Sequence, residues 1–345
     1  MRAVWAIART TFIEAIQQPV AFLMYLFSVA LTLLVPVFQF HRFSEDGRLA
    51  RDSGLSCMLV FGMALAVCTA GRSVSKEIAD GTAASVLGKP VPRPVFVCSK
   101  WLGCALVTAM FCLGQLAALM IAERASAHYV LREDFNGYAT DPISLILALG
   151  GLGLALLAGA ARHFFGRHRF GASVFFGVLY SQVAVLLFSG FYNRLGQFYP
   201  VHGEAACCEH HAAGEAAHAL FYHPELNLRV IPAALLVFFG LLVFAALGTA
   251  LSTRMRTGTV LAVCAGVLFT GLAGDTLFNG SSLLSFRGAV SGVLPDLQNF
   301  WLCDAIAHGG RISPGYVWLA GGYALTVCTV FLLAGCMAFQ NRDVG

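Results

Sequence analysis

The sequence predicts an all-α protein that crosses a membrane about eight times. Three observations indicate this class. Hydrophobic residues make up 58% of the 345 positions and charged residues only 12%, whereas soluble domains carry about 25% charged residues. The hydrophobic residues form long uninterrupted runs, as membrane helices require. Lys and Arg are concentrated in alternate connecting segments, which is typical of a polytopic protein with cytoplasmic basic loops.

Eight apolar runs are the candidate spans. Since a helix rises about 1.5 Å per residue, about 20 apolar residues cross the roughly 30 Å of hydrocarbon in a bilayer. The runs lack the alternation of barrel strands, and Asp, Glu, Lys and Arg are absent from all of them. The second and seventh runs are the shortest. The predicted spans are 20–40, 55–71, 101–122, 143–161, 171–190, 230–251, 258–274 and 315–339.

The distribution of basic residues sets the orientation of these spans. With the N-terminus in the cytoplasm, the cytoplasmic segments hold 13 of the 22 Lys and Arg residues, although the external loops are longer in total. This excess predicts that both termini are cytoplasmic. The cytoplasmic segments are then 1–19, 72–100, 162–170, 252–257 and 340–345.

Residues 1–19 predict an amphipathic helix in the cytoplasmic interface of the membrane. Val4, Ala8, Phe12 and Ala15 fall on one side of such a helix, and polar residues lie elsewhere. The alternative is an irregular extension of the first span. The first apolar run lacks a small-residue cleavage pattern, so we expect no signal peptide.

The longest cytoplasmic stretch, residues 72–100, predicts two helices joined by a rigid turn. Ser73–Leu87 has the composition of a short helix, and the following Lys-Pro-Val-Pro-Arg-Pro run contains three prolines that block helix continuation. A second helix is expected to enter the membrane near Lys100. This charged, proline-stiffened element is a candidate contact for a cytoplasmic partner, and the alternative is a basic loop that only sets topology.

This stretch resembles the cytoplasmic signature of the ABC-2 type transporter permeases, the family that includes the permeases of nitrous-oxide-reductase maturation. It contains E-I-x-x-G-T from Glu77, then L-G-K-P-V-x-R ending at Arg93, then K-W-L-G from Lys100. The family reads roughly E-x-x-x-G-T, L-L-S-K-P-V-S-R and K-x-L-G at the same places.

Two later segments also match this family. L-S-T-R ending at Arg254 resembles its cytoplasmic turn between two spans, and L-P-D-L-Q-N-F from Leu294 resembles its external segment before the last span. The resemblance covers about residues 1–122 and 230–345. The family commonly has six spans, so the pair at about 143–190 is an insertion, which preserves the orientation of everything downstream.

The resemblance implies the permease subunit of an ABC exporter in a bacterial inner membrane. Such a permease forms the translocation path as a homodimer embedded in lipid, and separate ABC ATPase subunits bind ATP and Mg²⁺. The chain itself is then no enzyme, binds no cofactor and has no nucleic-acid partner. The implied ATPase-coupling residues are Glu77, Gly81, Thr82, Lys89, Pro90 and Arg93. The implied external gate consists of Leu294, Pro295, Asp296, Leu297 and Phe300, within the external segment 275–314.

The sequence independently lacks a phosphate-binding loop. Such a loop needs G-x-x-x-x-G-K-[ST], because this spacing aims the backbone amides and the lysine at the phosphates. The nearest approach runs from Gly81 to Lys89, which is two residues too long and is followed by Pro90 instead of a hydroxyl residue. We therefore expect ATP hydrolysis in another chain.

The external segment 191–229 contains a cluster of His and Cys residues. Imidazole and thiolate groups suit copper or zinc, but the usual C-x-x-C and H-x-x-x-H spacings are absent. An unordered loop, or a disulfide between external cysteines, is the alternative to a metal site. The candidate ligands are His202, Cys207, Cys208, His210 and His211.

Two other functions fit the class of protein. An ion-coupled secondary transporter usually keeps ionisable residues at membrane depth, and the predicted spans have none. The chain is alternatively a membrane component of a metal-handling or metalloenzyme maturation system, in which case the His/Cys segment matters.

Overall fold

The computed structural model describes most of the chain. The described residues are 2–38, 47–79, 92–126, 129–132, 135–139, 141–166, 169–192, 226–272, 295–302, 310 and 312–340. The helices within them are α1 (Arg2–Ile16), α2 (Pro19–Phe38), α3 (Arg48–Ala79), α4 (Arg93–Ser126), α5 (Pro142–Gly166), α6 (Phe170–Ser189), α7 (Val230–Ser252), α8 (Thr257–Leu272) and α9 (Pro314–Gln340).

The helices confirm a multi-pass helical membrane protein. Seven of them in the described part of the chain, α2 to α7 and α9, are long and apolar enough to cross a bilayer. The predicted span at 258–274 corresponds to α8, which has 16 residues. The count of eight spans therefore stays a prediction.

Helices α3 and α4 extend beyond the predicted spans. Residues Ser73 to Ala79 continue α3, so the separate short helix predicted there is wrong within the described residues, and its remainder falls outside them. The helix continues because Ser73 and Val74 are buried, so this part of α3 still has one face packed against the protein. The uncharged part of α4, residues 101–122, measures about 33 Å at 1.5 Å per residue. It therefore matches the hydrocarbon thickness, and the charged residues lie at its two ends.

A β-hairpin that the sequence analysis did not predict follows α4. Strand β1 (Tyr129–Arg132) pairs antiparallel with β2 (Phe135–Ala139). Tyr129 lies opposite Ala139, and the register shifts between Val130 and Arg132. The predicted all-α class therefore holds for the membrane helices but not for this connection.

The contacts of the chain divide it into two compact units. Unit 1 consists of Met1–Tyr25, Met58–Cys112 and Ile231–Gly345. Unit 2 consists of Leu26–Cys57 and Leu113–Val230.

In unit 1, small residues allow helices to approach closely. A Cβ atom at Gly335 of α9 would lie 2.8 Å from the Cα atom of Ala250 in α7. One at Gly103 of α4 would lie 2.7 Å from the Cβ atom of Thr11 in α1. Both distances are too short for a side chain, so glycine is required for these contacts.

Helix α1 confirms the predicted N-terminal helix and corrects its buried face. Ala8 and Ala15 are buried as predicted, but Thr11 is buried too, whereas Val4 and Phe12 are only partly covered. The contact with Gly103 explains the difference, because α1 packs on α4 along Ala8 and Thr11. Trp5 is left exposed.

In unit 2, α5 and α6 form an antiparallel pair, which is the predicted insertion at 143–190. Gly151 packs against Ser181, and Gly159 against Val174. The Gln182 side chain of α6 donates a hydrogen bond to the Ala148 carbonyl of α5 at 3.1 Å.

Candidate functional site

Two arginines bind the carboxyl end of α9 in unit 1. The Arg93 guanidinium donates to the carbonyl oxygens of Phe339 (3.2 Å) and Gln340 (2.5 Å). The Arg254 Nε atom donates to the carbonyl of Ala338 at 3.0 Å. The last carbonyls of a helix lack partners within it and carry partial negative charge. The two guanidinium groups therefore supply both the missing donors and the complementary charge.

A stack of rings and cations extends from this helix end to α3. Arg93 lies over the Phe339 ring, 5.8 Å from its centroid. Phe339 stacks on Phe96 with centroids 5.8 Å apart, and the Lys100 ammonium lies 5.6 Å from the Phe96 centroid. Cations near ring faces are attracted by the electron-rich π-system.

An ion pair closes the stack. Lys100 Nζ lies 2.5 Å from Glu77 Oε1, and the side chains are only 3% and 21% exposed. Glu77, a predicted coupling residue, is thus paired with a lysine of the same chain. This pairing was not predicted, because the sequence indicated Lys100 only as the place where a helix enters the membrane. Both residues stand in the matched motifs, which was the available signal.

The turn between α7 and α8 joins the same assembly. The Ser75 hydroxyl of α3 lies 3.3 Å from the Thr257 hydroxyl at the start of α8. Residues 72–79, 93–100, 253–257 and 338–340 are therefore linked within unit 1. The charge distribution predicts a cytoplasmic location for the first three of these segments and for Gln340, and residues 338–339 end the last predicted span. We name this set the basal assembly.

The basal assembly presents charged groups to its surroundings. Lys76 is exposed on α3. In the α7–α8 turn, Arg254 and Arg256 are exposed on either side of Met255, which is also exposed. Cys98 of α4 is exposed as well. Of the predicted coupling residues, Gly81, Thr82, Lys89 and Pro90 lie outside the described residues.

The described part of the predicted external gate packs inside unit 1. Leu297 is buried against Gly271 of α8, and Phe300 is buried beside Gly240 of α7. Residues Gln298–Phe300 form one turn of 3₁₀ helix. Leu294 lies outside the described residues, and Pro295 is buried.

Asp296 is the polar anchor of this gate segment. Its carboxylate accepts hydrogen bonds from the Gln298 backbone (3.1 Å) and the Asn299 side chain (3.0 Å). Its own backbone N–H donates to the Tyr323 hydroxyl of α9 at 3.0 Å. The segment is thus fixed to α7, α8 and α9, and its apolar side chains fill the space among them.

A second polar cluster, in unit 2, was not predicted. Arg124 at the end of α4 pairs with Asp141, with 2.7 Å between Nε and Oδ2. Its guanidinium also donates to the carbonyls of Ser189 (2.5 Å) and Tyr192 (2.9 Å). Ser144 donates to Asp141 at 2.6 Å and lies 2.5 Å from the Tyr192 hydroxyl.

The Tyr192 phenol remains protonated in this cluster. Burial raises the pKa of Tyr192 above its usual value, and the hydrogen bond with Ser144 opposes the shift. The protonated hydroxyl is also 3.4 Å from Asp141, to which it donates. The cluster therefore balances one cation with one carboxylate and neutral donors.

Glu123 forms a neighbouring set of contacts. Its carboxylate lies 3.5 Å from Arg51 of α3 and accepts a hydrogen bond from Asn227 at 2.8 Å. These residues belong to three segments that the charge distribution predicts to be external. The signal for both clusters was a pair of adjacent charges, Glu-Arg, directly after a span.

The predicted metal ligands His202, Cys207, Cys208, His210 and His211 lie outside the described residues. Within the described ranges, no group of three or more His, Cys, Asp or Glu side chains has the arrangement of a metal site. The metal hypothesis is thus a prediction about a segment that the structure does not describe.

No protein-family model matches this sequence, and comparison with curated proteins finds no significant match.

Proposed function

We propose that this chain is the permease subunit of an ABC exporter, coupled to a separate ATPase at the basal assembly. Two copies form the translocation path, and the ATPase binds ATP and Mg²⁺. The resemblance of three separate segments to ABC-2 permeases, in the family's order, supports this proposal. The seven apolar helices are compatible with a path through a membrane.

The observation that carries the proposal is the attachment of Arg93 to α9. Arg93 is the last residue of the matched K-P-V-x-R motif, and it binds the Phe339 and Gln340 carbonyls. A force applied by an ATPase to the segment before Arg93 would therefore act on α9 as well as on α4. The Glu77–Lys100 ion pair joins α3 to α4 within the same basal assembly.

These contacts divide the coupling residues into two roles. Glu77 and Arg93 act inside the permease, where they transmit displacement between helices. Exposed side chains then make the contact with the ATPase. Among the residues that the structure describes, Lys76 and Arg256 are the candidates, because both are exposed. Because charged rim residues set association more than stability, their replacement leaves the fold intact.

The test is co-purification of the permease with its ATPase from the native membrane. The charge-reversed pair Lys76→Glu and Arg256→Glu is expected to reduce the recovered ATPase by at least about tenfold, since each lost charge pair at an interface costs about 1 kcal/mol or more. Arg229→Glu, an exposed residue of a predicted external segment, is the matched control and should retain the ATPase. Recovery of no ABC ATPase with the unaltered chain would overturn the proposal.

A further inference from the structure

The connection between α5 and α6 presents exposed arginines and phenylalanines side by side. Every residue from Ala161 to Gly166, at the end of α5, is exposed, and Phe164 and Phe165 are 81% and 84% exposed. The two rings pack on each other with their centroids 5.2 Å apart. Arg162 in this part of α5 and Arg169 directly before α6 are exposed as well. The end of α5 therefore has no buried face, and it displays apolar rings next to guanidinium groups.

The length of α5 places these side chains at the level of the lipid headgroups. Its uncharged part, residues 143–161, measures about 28 Å at 1.5 Å per residue and matches the roughly 30 Å of hydrocarbon in a bilayer. Residues 162–166 continue the same helix for about 7 Å, which is close to the thickness of the headgroup layer on one side of a bilayer. At this depth an aromatic ring can enter the acyl boundary while an arginine stays among the headgroups.

The charges of the α5–α6 pair are all of one sign. From Pro142 to Gly203 the sequence contains no Asp or Glu, so neither helix supplies a carboxylate to the arginines. The eight residues 162–169 contain three arginines and two histidines, of which Arg167 and His168 lie outside the described residues. A basic cluster beside a membrane helix is complementary to headgroups with a net negative charge.

We propose that the α5–α6 connection is a binding site for an anionic phospholipid. Arg162 and Arg169 bind the headgroup phosphate, because a planar guanidinium can donate two parallel hydrogen bonds to phosphate oxygens. Phe164 and Phe165 lie against the adjoining part of the acyl chains. A zwitterionic lipid has the same phosphate, but its ammonium group repels the arginines, so the site selects lipids with a net negative headgroup.

This site gives a role to the α5–α6 pair, which lies outside the part of the chain that resembles ABC-2 permeases. A bound anionic lipid would hold the connected ends of the two helices at the headgroup level of one leaflet. The inference rests on the charge, exposure and depth of the connection and is independent of the proposed transport function.

The test uses the purified full-length protein in phosphatidylcholine nanodiscs that contain a minor fraction of phosphatidylglycerol. A trace of phosphatidylglycerol with a photoreactive group at the top of one acyl chain cross-links to the residues that it contacts, and peptide mass spectrometry locates the adducts. We expect adducts within residues 161–170. Additional unlabelled phosphatidylglycerol should reduce them, whereas additional phosphatidylcholine should not. The absence of adducts in this segment, or an equal reduction by both lipids, would overturn the proposal.

A pair of double variants tests the role of the arginines. Arg162→Gln with Arg169→Gln should lower the adducts in this segment at least about tenfold, because each basic residue near a membrane surface strengthens binding about fivefold. Arg9→Gln with Arg256→Gln removes the same charge from exposed positions of α1 and the α7–α8 turn, and this matched control should leave the adducts unchanged. Equal labelling of the two double variants would overturn the proposal. The competition between lipids in the unaltered protein decides the matter even if a variant fails to fold.

Discussion

Arg124 and Asp141 form a buried ion pair, with 2.7 Å between Nε and Oδ2 and side-chain exposures of 0% and 1%. They lie at the ends of two different helices, because Arg124 is in the last turn of α4 and Asp141 directly precedes α5. Through the Ser189 and Tyr192 carbonyls, the same guanidinium also holds the end of α6. One side chain thus attaches the α5–α6 pair to α4.

Removing one member of this pair should strongly destabilise the protein. We expect Arg124→Met alone to lower the free energy of unfolding by about 3–5 kcal/mol, because it leaves the Asp141 carboxylate buried without its cation. The measurement is denaturant-induced unfolding in detergent micelles. The double variant Arg124→Met with Asp141→Leu should lose less, because no uncompensated charge remains. A single variant as stable as the double would contradict this account.

Loss of the cap on α9 should open the end of that helix locally. Arg93→Leu removes the charged donor that binds the Phe339 and Gln340 carbonyls. A hydrogen bond to a charged group contributes about 1.5–3 kcal/mol to stability. Amide hydrogen exchange at the last turn of α9 should therefore rise about tenfold or more. Arg256→Leu, which removes an exposed arginine of the same assembly, should leave that exchange unchanged. Equal protection in the two variants would show that Arg93 does not cap the helix.

The close approach of α9 to α7 should make one glycine sensitive to substitution. Gly335→Ala places a Cβ atom 2.8 Å from the Cα atom of Ala250, so we expect a loss of about 1–3 kcal/mol from overpacking. Gly322→Ala, on the same helix, meets nothing within 4 Å and should be neutral or slightly stabilising. Thermal unfolding of the two variants in detergent compares them directly. A Gly335→Ala protein as stable as Gly322→Ala would disprove the contact.

The predicted orientation can be tested at two exposed positions. Lys76→Cys lies in the basal assembly, and Arg229→Cys lies in a predicted external segment. In right-side-out membrane vesicles, a membrane-impermeant maleimide should label position 229 and should reach position 76 only after the vesicles are opened. Peptide mass spectrometry distinguishes these positions from the native cysteines. The reverse labelling pattern would show that the topology is opposite to the predicted one.

Several elements were predictable because they depend on local properties of the chain. The uncharged stretch 101–122 predicted the membrane part of α4, and the three prolines from Pro90 to Pro94 predicted a helix boundary that the structure places at Arg93. The continuation of α3 to Ala79 was not predictable in this way. Whether a polar stretch continues the helix before it depends on what packs beside that stretch. Here the Ser75 hydroxyl contacts the Thr257 hydroxyl of α8, and this contact supports the continued helix.

The sequence alone determined that this protein is built of apolar helices that cross a membrane, because hydropathy acts residue by residue along the chain, and its charge distribution predicts which segments share a side. Only the tertiary structure decided which partners the charged side chains bind. Arg93 binds a carbonyl 247 positions away, and Arg124 is buried against Asp141 although both sit at the edges of loops. Such pairings depend on which distant helix ends are packed together. Burial of a charge is tolerated only when that packing supplies its counter-charge and hydrogen-bond partners.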